Sequence, residues 1–276
     1  MDSAHPLHHV ACAHGSMGWR EAGRGLPLVL LHGIGSGSQS WAGQLDALAS
    51  SHRVVAWDAP GYAESAPLPN PTPLADDYAQ ALADLLARLG IDELVLLGHS
   101  LGALVAAAWA ARPTARLHRL VLASPARGYG LAAPEVRQAK WRERVEAVER
   151  LGPEGLAADR AAALCAPGAP QAVVEKVRWN MARVTRQGYA QAAHMLAHDD
   201  LLTHLRRVAV SVPVSVLCGA LDRTTPAEAS AKVASDVGAA FTLLPGVAHA
   251  CYAEDPAAFN AALLAAAAVE PVTRHD

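Results

Sequence analysis

Four short runs, Leu28–Leu31, Val54–Trp57, Leu94–Leu97 and Leu120–Ala123, are apolar at every position, and Val214–Leu217 repeats the pattern with Ser215 as its one polar residue. A strand with one face in water alternates apolar and polar residues. A run that is apolar throughout belongs in a sheet covered on both sides. Helix signals fall between the runs: Thr72–Pro73 opens a segment that ends at Gly90, Thr225–Pro226 is followed by Glu228 at the position of a capping-box carboxylate, and Asp255–Pro256 opens the last helix. Strands and helices in alternation predict an α/β fold with a mostly parallel sheet.

The alternation stops between about Gly128 and Leu205. Pro134–Leu151, Glu154–Leu164, Pro170–Arg186 and Gly188–Leu205 read as helices separated by Gly or Pro. The expected organisation is a core in two parts, 1–127 and 206–276, with an all-helical cap inserted over 128–205.

Of 276 residues, 52% are apolar and 18% charged, enough for one sizeable core and too apolar for a disordered chain. With 23 basic against 26 acidic residues there is no basic stripe to replace phosphate counterions, so nucleic acid is not an expected partner. Met1–Val10 lacks a charged region followed by an apolar run, and Phe259–Val269 is too short to span a bilayer. The expectation is a cytoplasmic protein that does not enter membranes. Cys12, Cys165, Cys218 and Cys251 form no C-x-x-C pair, so they read as reduced packing thiols rather than metal ligands or a redox dithiol.

The residues from Leu94 to Gly102 carry the sharpest chemical signal: an apolar strand enters Gly98-His99-Ser100-Leu101-Gly102, and an apolar helix follows to about Arg112. Glycines on both flanks suit a serine on a strained strand-to-helix turn, where bulkier neighbours would meet adjacent backbone. A serine hydroxyl needs a base to take its proton and a third group to orient that base. His249 follows the predicted last strand, Phe241–Leu244, and Asp222 follows Val214–Leu217. Both loops leave carboxyl ends of strands, where sites of open α/β sheets lie.

With these residues the chain resembles the α/β-hydrolase fold family over essentially its whole length. The likeness rests on His32-Gly33-Ile34-Gly35, Asp58-Ala-Pro-Gly61-Tyr-Ala-Glu-Ser65, Gly98-His-Ser-Leu-Gly102, Gly219-Ala-Leu-Asp222, and His249 with Glu254-Asp-Pro256. It implies Ser100 as nucleophile, His249 as base, Asp222 as its orienting acid, and an oxyanion hole from the backbone N–H groups of Ile34 and Leu101. It implies no cofactor. The activity implied is cleavage of a small-molecule carboxylic ester or enol-lactone. Alternatives are a C–C bond hydrolase of aromatic ring-fission products and a non-catalytic small-ligand-binding protein on the same scaffold. Two departures stand out: Ala63 and Ala103 occupy places where the family often has glycine.

Trp141, Trp179 and Met195, with Met181, are expected to roof the substrate pocket. Arg137, Arg142, Arg178, Arg183 and Arg186 supply candidates for one inward-facing arginine, which would call for a carboxylate on the substrate. His194 and His198 share a helix face with Asp199, Asp200 and His204 nearby. Met195 stands where an H-E-x-x-H metal site places its glutamate, so no metal is expected and the carboxylates read as a polar helix end. Asp58 is expected to serve a turn, His32 to fix the oxyanion loop, His99 to bond locally, and His5, His8, His9 and His14 to lie on the terminal surface. The oligomeric state is left open.

Overall fold

The computed structural model describes residues 5–112 and 116–268, so residues 1–4 and 269–276 of the two outer segments lie outside it, as does Val269 of the carboxyl-terminal apolar stretch. Eight strands form one sheet: β1 (His8–Cys12), β2 (Gly15–Ala22), β3 (Pro27–Leu31), β4 (Arg53–Trp57), β5 (Glu93–His99), β6 (Arg116–Ala123), β7 (Val214–Gly219) and β8 (Ala240–Leu244). Their order is β1-β2-β4-β3-β5-β6-β7-β8. The last six strands are parallel, and the β1–β2 hairpin joins antiparallel through β2 and β4.

The fully apolar runs have the predicted cause. Leu28, Leu30, Val54, Ala56, Val95 and Leu97 pack on one face, against α1 (Ala42–Leu48) and a carboxyl-terminal helix that carries Phe259 and Leu263. The alternate residues Val29, Leu31, Val55, Leu94 and Leu96 pack on the other, against α2 (Ala75–Arg88) and α3 (Gly102–Ala110). The hairpin was not legible in sequence. Its strands, His-His-Val-Ala-Cys and Gly-Ser-Met-Gly-Trp-Arg-Glu-Ala, mix polar residues and glycine at the sheet edge and give no apolar run. His8 and His9 belong to β1 rather than to a loose terminus, and His8 stacks on Trp19 with ring centroids 5.4 Å apart.

Between β6 and β7 the chain is helical: α4 (Pro134–Arg160), α5 (Gln171–Met181), α6 (Arg186–His198) and α7 (Leu201–Leu205). Gly152, at φ 65°, and Pro153 kink α4 where the sequence separates two helices. The insertion meets the core through close backbone contact. The Thr185 hydroxyl donates to the Gly61 carbonyl at 2.6 Å, and Gln191 Nε2 donates to the carbonyls of Leu68 and Asn70, each at 2.8 Å. The core resumes with α8 (Ala227–Asp236), α9 (Cys251–Glu254) and α10 (Pro256–Ala267).

Two expected caps are replaced. At α2 the Leu74 N–H donates to Asp77, and the Ala75 N–H donates to Asp199 across from the insertion, so Thr72 is not used. At α8 no side chain caps the helix, because the Thr225 hydroxyl is engaged with Asp222 and the Ser124 carbonyl. Asp255 does cap α10, accepting from the Ala258 N–H at 2.9 Å with Pro256 in the first turn. Among the described residues no helix is long and apolar enough to cross a membrane.

Candidate active site

Ser100 occupies the turn between β5 and α3 at φ 52°, in the left-handed region that non-glycine residues avoid. The flanking glycines make this turn possible. A Cβ on Gly98 would lie 2.4 Å from the Gly102 carbonyl oxygen, and a Cβ on Gly102 would lie 2.6 Å from that of Leu31. The Ser100 N–H donates to the Ala123 carbonyl and its own carbonyl accepts from Ala126, which pins the turn to the end of β6.

His249 lies in the loop between β8 and α9, and its Nδ1 donates to Asp222 Oδ2 at 2.8 Å. Asp222 sits after β7 and also accepts the N–H groups of Thr224 (2.8 Å) and Thr225 (2.9 Å) on Oδ1, and the Thr225 hydroxyl (2.8 Å) on Oδ2. Burial pushes this carboxyl up. The hydrogen bond and charge of His249, then the Thr225 donors, outweigh burial and hold it at about 2. The resulting anion fixes the tautomer of His249, leaving Nε2 as the acceptor. Neither Nε2 nor the Ser100 hydroxyl is engaged by another protein group among the described residues, and no hydrogen bond joins the two. Both residues line one cavity of about 400 Å³, within the usual range for small-molecule sites.

Ile34 and Leu101 line the same cavity, and neither backbone N–H has an acceptor among the described residues. The loop carrying Ile34 is held from behind. His32 accepts the Ala59 N–H on Nε2 at 3.0 Å and donates from Nδ1 to the Gly33 carbonyl at 2.8 Å, while the Tyr62 hydroxyl donates to the Ile34 carbonyl at 2.7 Å. Burial drives His32 down to about 4, so it stays neutral. Asp58 takes the Ser38 N–H (2.7 Å) and hydroxyl (2.9 Å), so it orients the far end of this loop rather than only its own turn. His99 donates from Nε2 to the His249 carbonyl at 2.9 Å, and burial followed by the charge of His249 pushes it down to about 3.

The roof of the cavity differs from the sequence expectation. Leu164, Val177, Met181, Tyr189 and Leu196 line it, together with Leu101 from the core. Trp141, Trp179 and Met195 do not. Trp141 packs edge-on against the stacked rings of His194 and His198, at 5.4 and 6.1 Å. Trp179 carries the Arg183 guanidinium at 3.4 Å and faces a shallow groove with Gln39 and Pro256. Met195 is fully buried beneath α6 beside Trp57 and Tyr78. The reason is rotational: a helix spacing does not say which turn faces the core before its partners are known.

The five arginines singled out from sequence also point elsewhere. Arg178 pairs with Glu175, and Arg186 donates to the Glu149 carbonyl. Arg137 and Arg142 are absent from the cavity wall, which instead receives Arg127, Arg144 and Arg160. His194 and His198 spend Nδ1 on the carbonyls of Pro73 and His194, and the nearby carboxylates act as caps: Asp200 accepts the Thr203 N–H, while Asp199 takes Ala75 and His204. Thr225 and Glu254 take roles that no local sequence signal carried: Thr225, placed at a helix start, serves Asp222 instead. Glu254 accepts Ala248 N–H at 2.9 Å and Ala166 N–H at 2.7 Å, tying the histidine loop to the helical insertion.

A strand order with the serine turn at the end of the central β5, and a histidine and an acid on later loops, defines a class of catalytic scaffold. Residues 27–256 match the family model described as alpha/beta hydrolase fold, and the chain belongs to that family. It is 28% identical to 3-oxoadipate enol-lactonase 2 from Acinetobacter baylyi over 241 residues, 86% of each chain. It is 33% identical over 103 residues to the 1-acylglycerol-3-phosphate O-acyltransferase ABHD5 of Sus scrofa, covering 36% of this chain but only 30% of that relative's length. Among solved structures, a thermophilic esterase from Thermogutta terrifontis superposes with a TM-score of 0.82 at 28% identity, over 94% of this chain and 96% of the other.

Proposed function

We propose that the protein is a cofactor-independent serine hydrolase that cleaves a small carboxylic ester or enol-lactone through an acyl-enzyme on Ser100. One observation carries the reading. A strained, unengaged serine hydroxyl, two unpartnered amides and an imidazole oriented by a buried carboxylate all border a single cavity. The enol-lactonase and esterase relatives support the choice of acyl substrate.

In the first half-reaction Ser100 Oγ attacks the acyl carbon while its proton passes to His249 Nε2. The carbonyl oxygen becomes an oxyanion that accepts from the Ile34 and Leu101 N–H groups. Amides already free of protein acceptors cost no bond to recruit, and losing one such donor raises a barrier of this kind by about 3 kcal/mol. Collapse breaks the bond to the leaving oxygen, which takes the proton from the imidazolium. Water then gives its proton to Nε2 and attacks the acyl carbon; collapse breaks the bond to Ser100 Oγ, which takes the proton back from the imidazolium as the acid is released. Asp222 remains ionised and stabilises the imidazolium in both halves.

A fluorophosphonate probe tests this directly. Stoichiometric labelling that maps to Ser100 and disappears in Ser100→Ala is the expected result. The same preparation should turn over p-nitrophenyl esters or enol-lactones in preference to vinylogous diketo acids. Absence of both labelling and ester turnover in a folded preparation would overturn the proposal.

A further inference from the structure

The cavity above Ser100 is lined mainly by apolar side chains, yet four cationic residues reach its wall: Arg127, Arg144, Arg160 and Lys232. Two have carboxylate partners. Lys232 Nζ lies 2.8 Å from Asp236, and Arg127 Nε lies 3.6 Å from Asp200. The other two are different. Among the described residues neither Arg144 nor Arg160 forms an ion pair; the Arg144 guanidinium donates only to the Lys140 carbonyl of its own helix, at 3.1 Å, and the Arg160 side chain makes no hydrogen bond. Glu143, next to Arg144, is exposed and pairs with Lys140 at 3.5 Å.

Both arginines are partly withdrawn from solvent, and Arg144 leans over the Tyr129 ring, 6.0 Å from its centroid. Tyr189, on the same wall, is 2% exposed, and its hydroxyl has no protein partner among the described residues. The two guanidiniums stand near this phenol. Burial pushes its pKa up, the charges of Arg160 and then Arg144 pull against that, and the charge of Glu143 adds a smaller push in the direction of burial. A guanidinium taken partly out of water without a counter-ion is unfavourable, and its planar fork of donors matches a carboxylate. Both guanidiniums and the phenol can donate, and all border the cavity that Ser100 and His249 line.

We propose that Arg144, Arg160 and the Tyr189 hydroxyl form a subsite for a carboxylate on the substrate, carried on the part that extends from the scissile carbonyl toward the helical insertion. This rests on the serine-hydrolase reading for the identity of the site. It narrows the substrate to acyl compounds with a second, anionic end, such as the half-ester of a dicarboxylic acid. The remaining apolar wall then accommodates the intervening methylenes. The side chains responsible lie on α4 and α6, so discrimination is a property of the insertion and reaction chemistry a property of the core.

The test compares p-nitrophenyl hydrogen glutarate with p-nitrophenyl pentanoate, which are similar in length and differ in terminal charge. The wild-type protein is expected to favour the half-ester in kcat/KM by about tenfold or more, through contacts of charged, bidentate type. In Arg144→Gln/Arg160→Gln that ratio should collapse to near one, and Arg144→Lys should retain part of it. If the double variant fails to fold, the Arg144→Lys and Arg160→Lys single variants carry the comparison. Equal rates for the two esters in wild type, or a preference unaltered in the variants, would overturn the subsite. Binding separates this from the reaction itself: glutarate should raise the melting temperature of Ser100→Ala but not of Ser100→Ala carrying both Gln substitutions. Loss of Ser100 labelling with glutarate binding intact would sink the hydrolase reading and spare the subsite. Stronger stabilisation by inorganic phosphate than by glutarate would overturn the carboxylate assignment.

Discussion

Replacing Asp222 by Asn isolates the orienting anion, because the surrounding donors decide how the new amide must sit. Oδ1 of Asp222 accepts two backbone N–H groups, from Thr224 and Thr225. The Asn carbonyl oxygen takes that place, since an NH2 there would face two donors. The Asn NH2 then occupies the position of Oδ2, 2.8 Å from His249 Nδ1. Facing a donor, Nδ1 must become the acceptor and Nε2 must carry the proton. The imidazole is held in place in the wrong tautomer and cannot accept the Ser100 proton. A loss of about 10⁴ in kcat is expected for this defect in a serine triad, equivalent to about 5.5 kcal/mol of barrier. The assay is kcat and KM on a chromogenic ester, with circular dichroism melting to establish that the fold persists and fluorophosphonate labelling rates as an independent readout. KM should change little. A variant within tenfold of wild type in kcat would refute the reasoning, because it would mean that another carboxylate serves His249 or that the imidazole does not act as the base.

Three further outcomes follow from the geometry. Ala63 is exposed with φ 46°, so Ala63→Gly should remove about 1–2 kcal/mol of backbone strain against about 0.4–1 kcal/mol of added chain entropy; a net rise in melting temperature is expected, and a fall would contradict it. Asp58 is 2% exposed and burial pushes its carboxyl up to about 6. The folded state therefore keeps a proton that the unfolded chain has released, and stability falls as pH rises from about 4 to about 6, by on the order of 3 kcal/mol. Asp58→Asn should lack that slope in urea titrations at stepped pH, and parallel curves for the two proteins would rule the cause out. Finally, a Cβ on Gly188 would lie 2.1 Å from the Gly61 carbonyl oxygen. Gly188→Ala should lower stability by about 3 kcal/mol and speed proteolysis of the insertion, whereas an unchanged melting temperature would mean that the two backbones do not meet there.

The parts of this protein that could be read along the chain are those governed by local chemistry. A run apolar at every residue implies a strand covered on both faces whatever surrounds it. The pair of glycines around Ser100 answers a clash between residues only a few positions apart or on the adjoining strand. Pro256 after Asp255 starts a helix because both act on that helix's own first turn. Tertiary structure decided everything that depends on which distant groups meet. Thr225 gave up a capping role for one on Asp222, and Asp199 supplied a cap to a helix more than a hundred residues earlier. The roof keeps the expected Met181 but takes Tyr189 rather than Trp141 and Trp179, and the cavity receives Arg144 and Arg160 instead of the arginines expected from sequence. A helix pattern constrains spacing along one axis, but the rotation of that helix against the core, and with it which side chains reach the cavity, is set by packing with partners that lie far away in sequence.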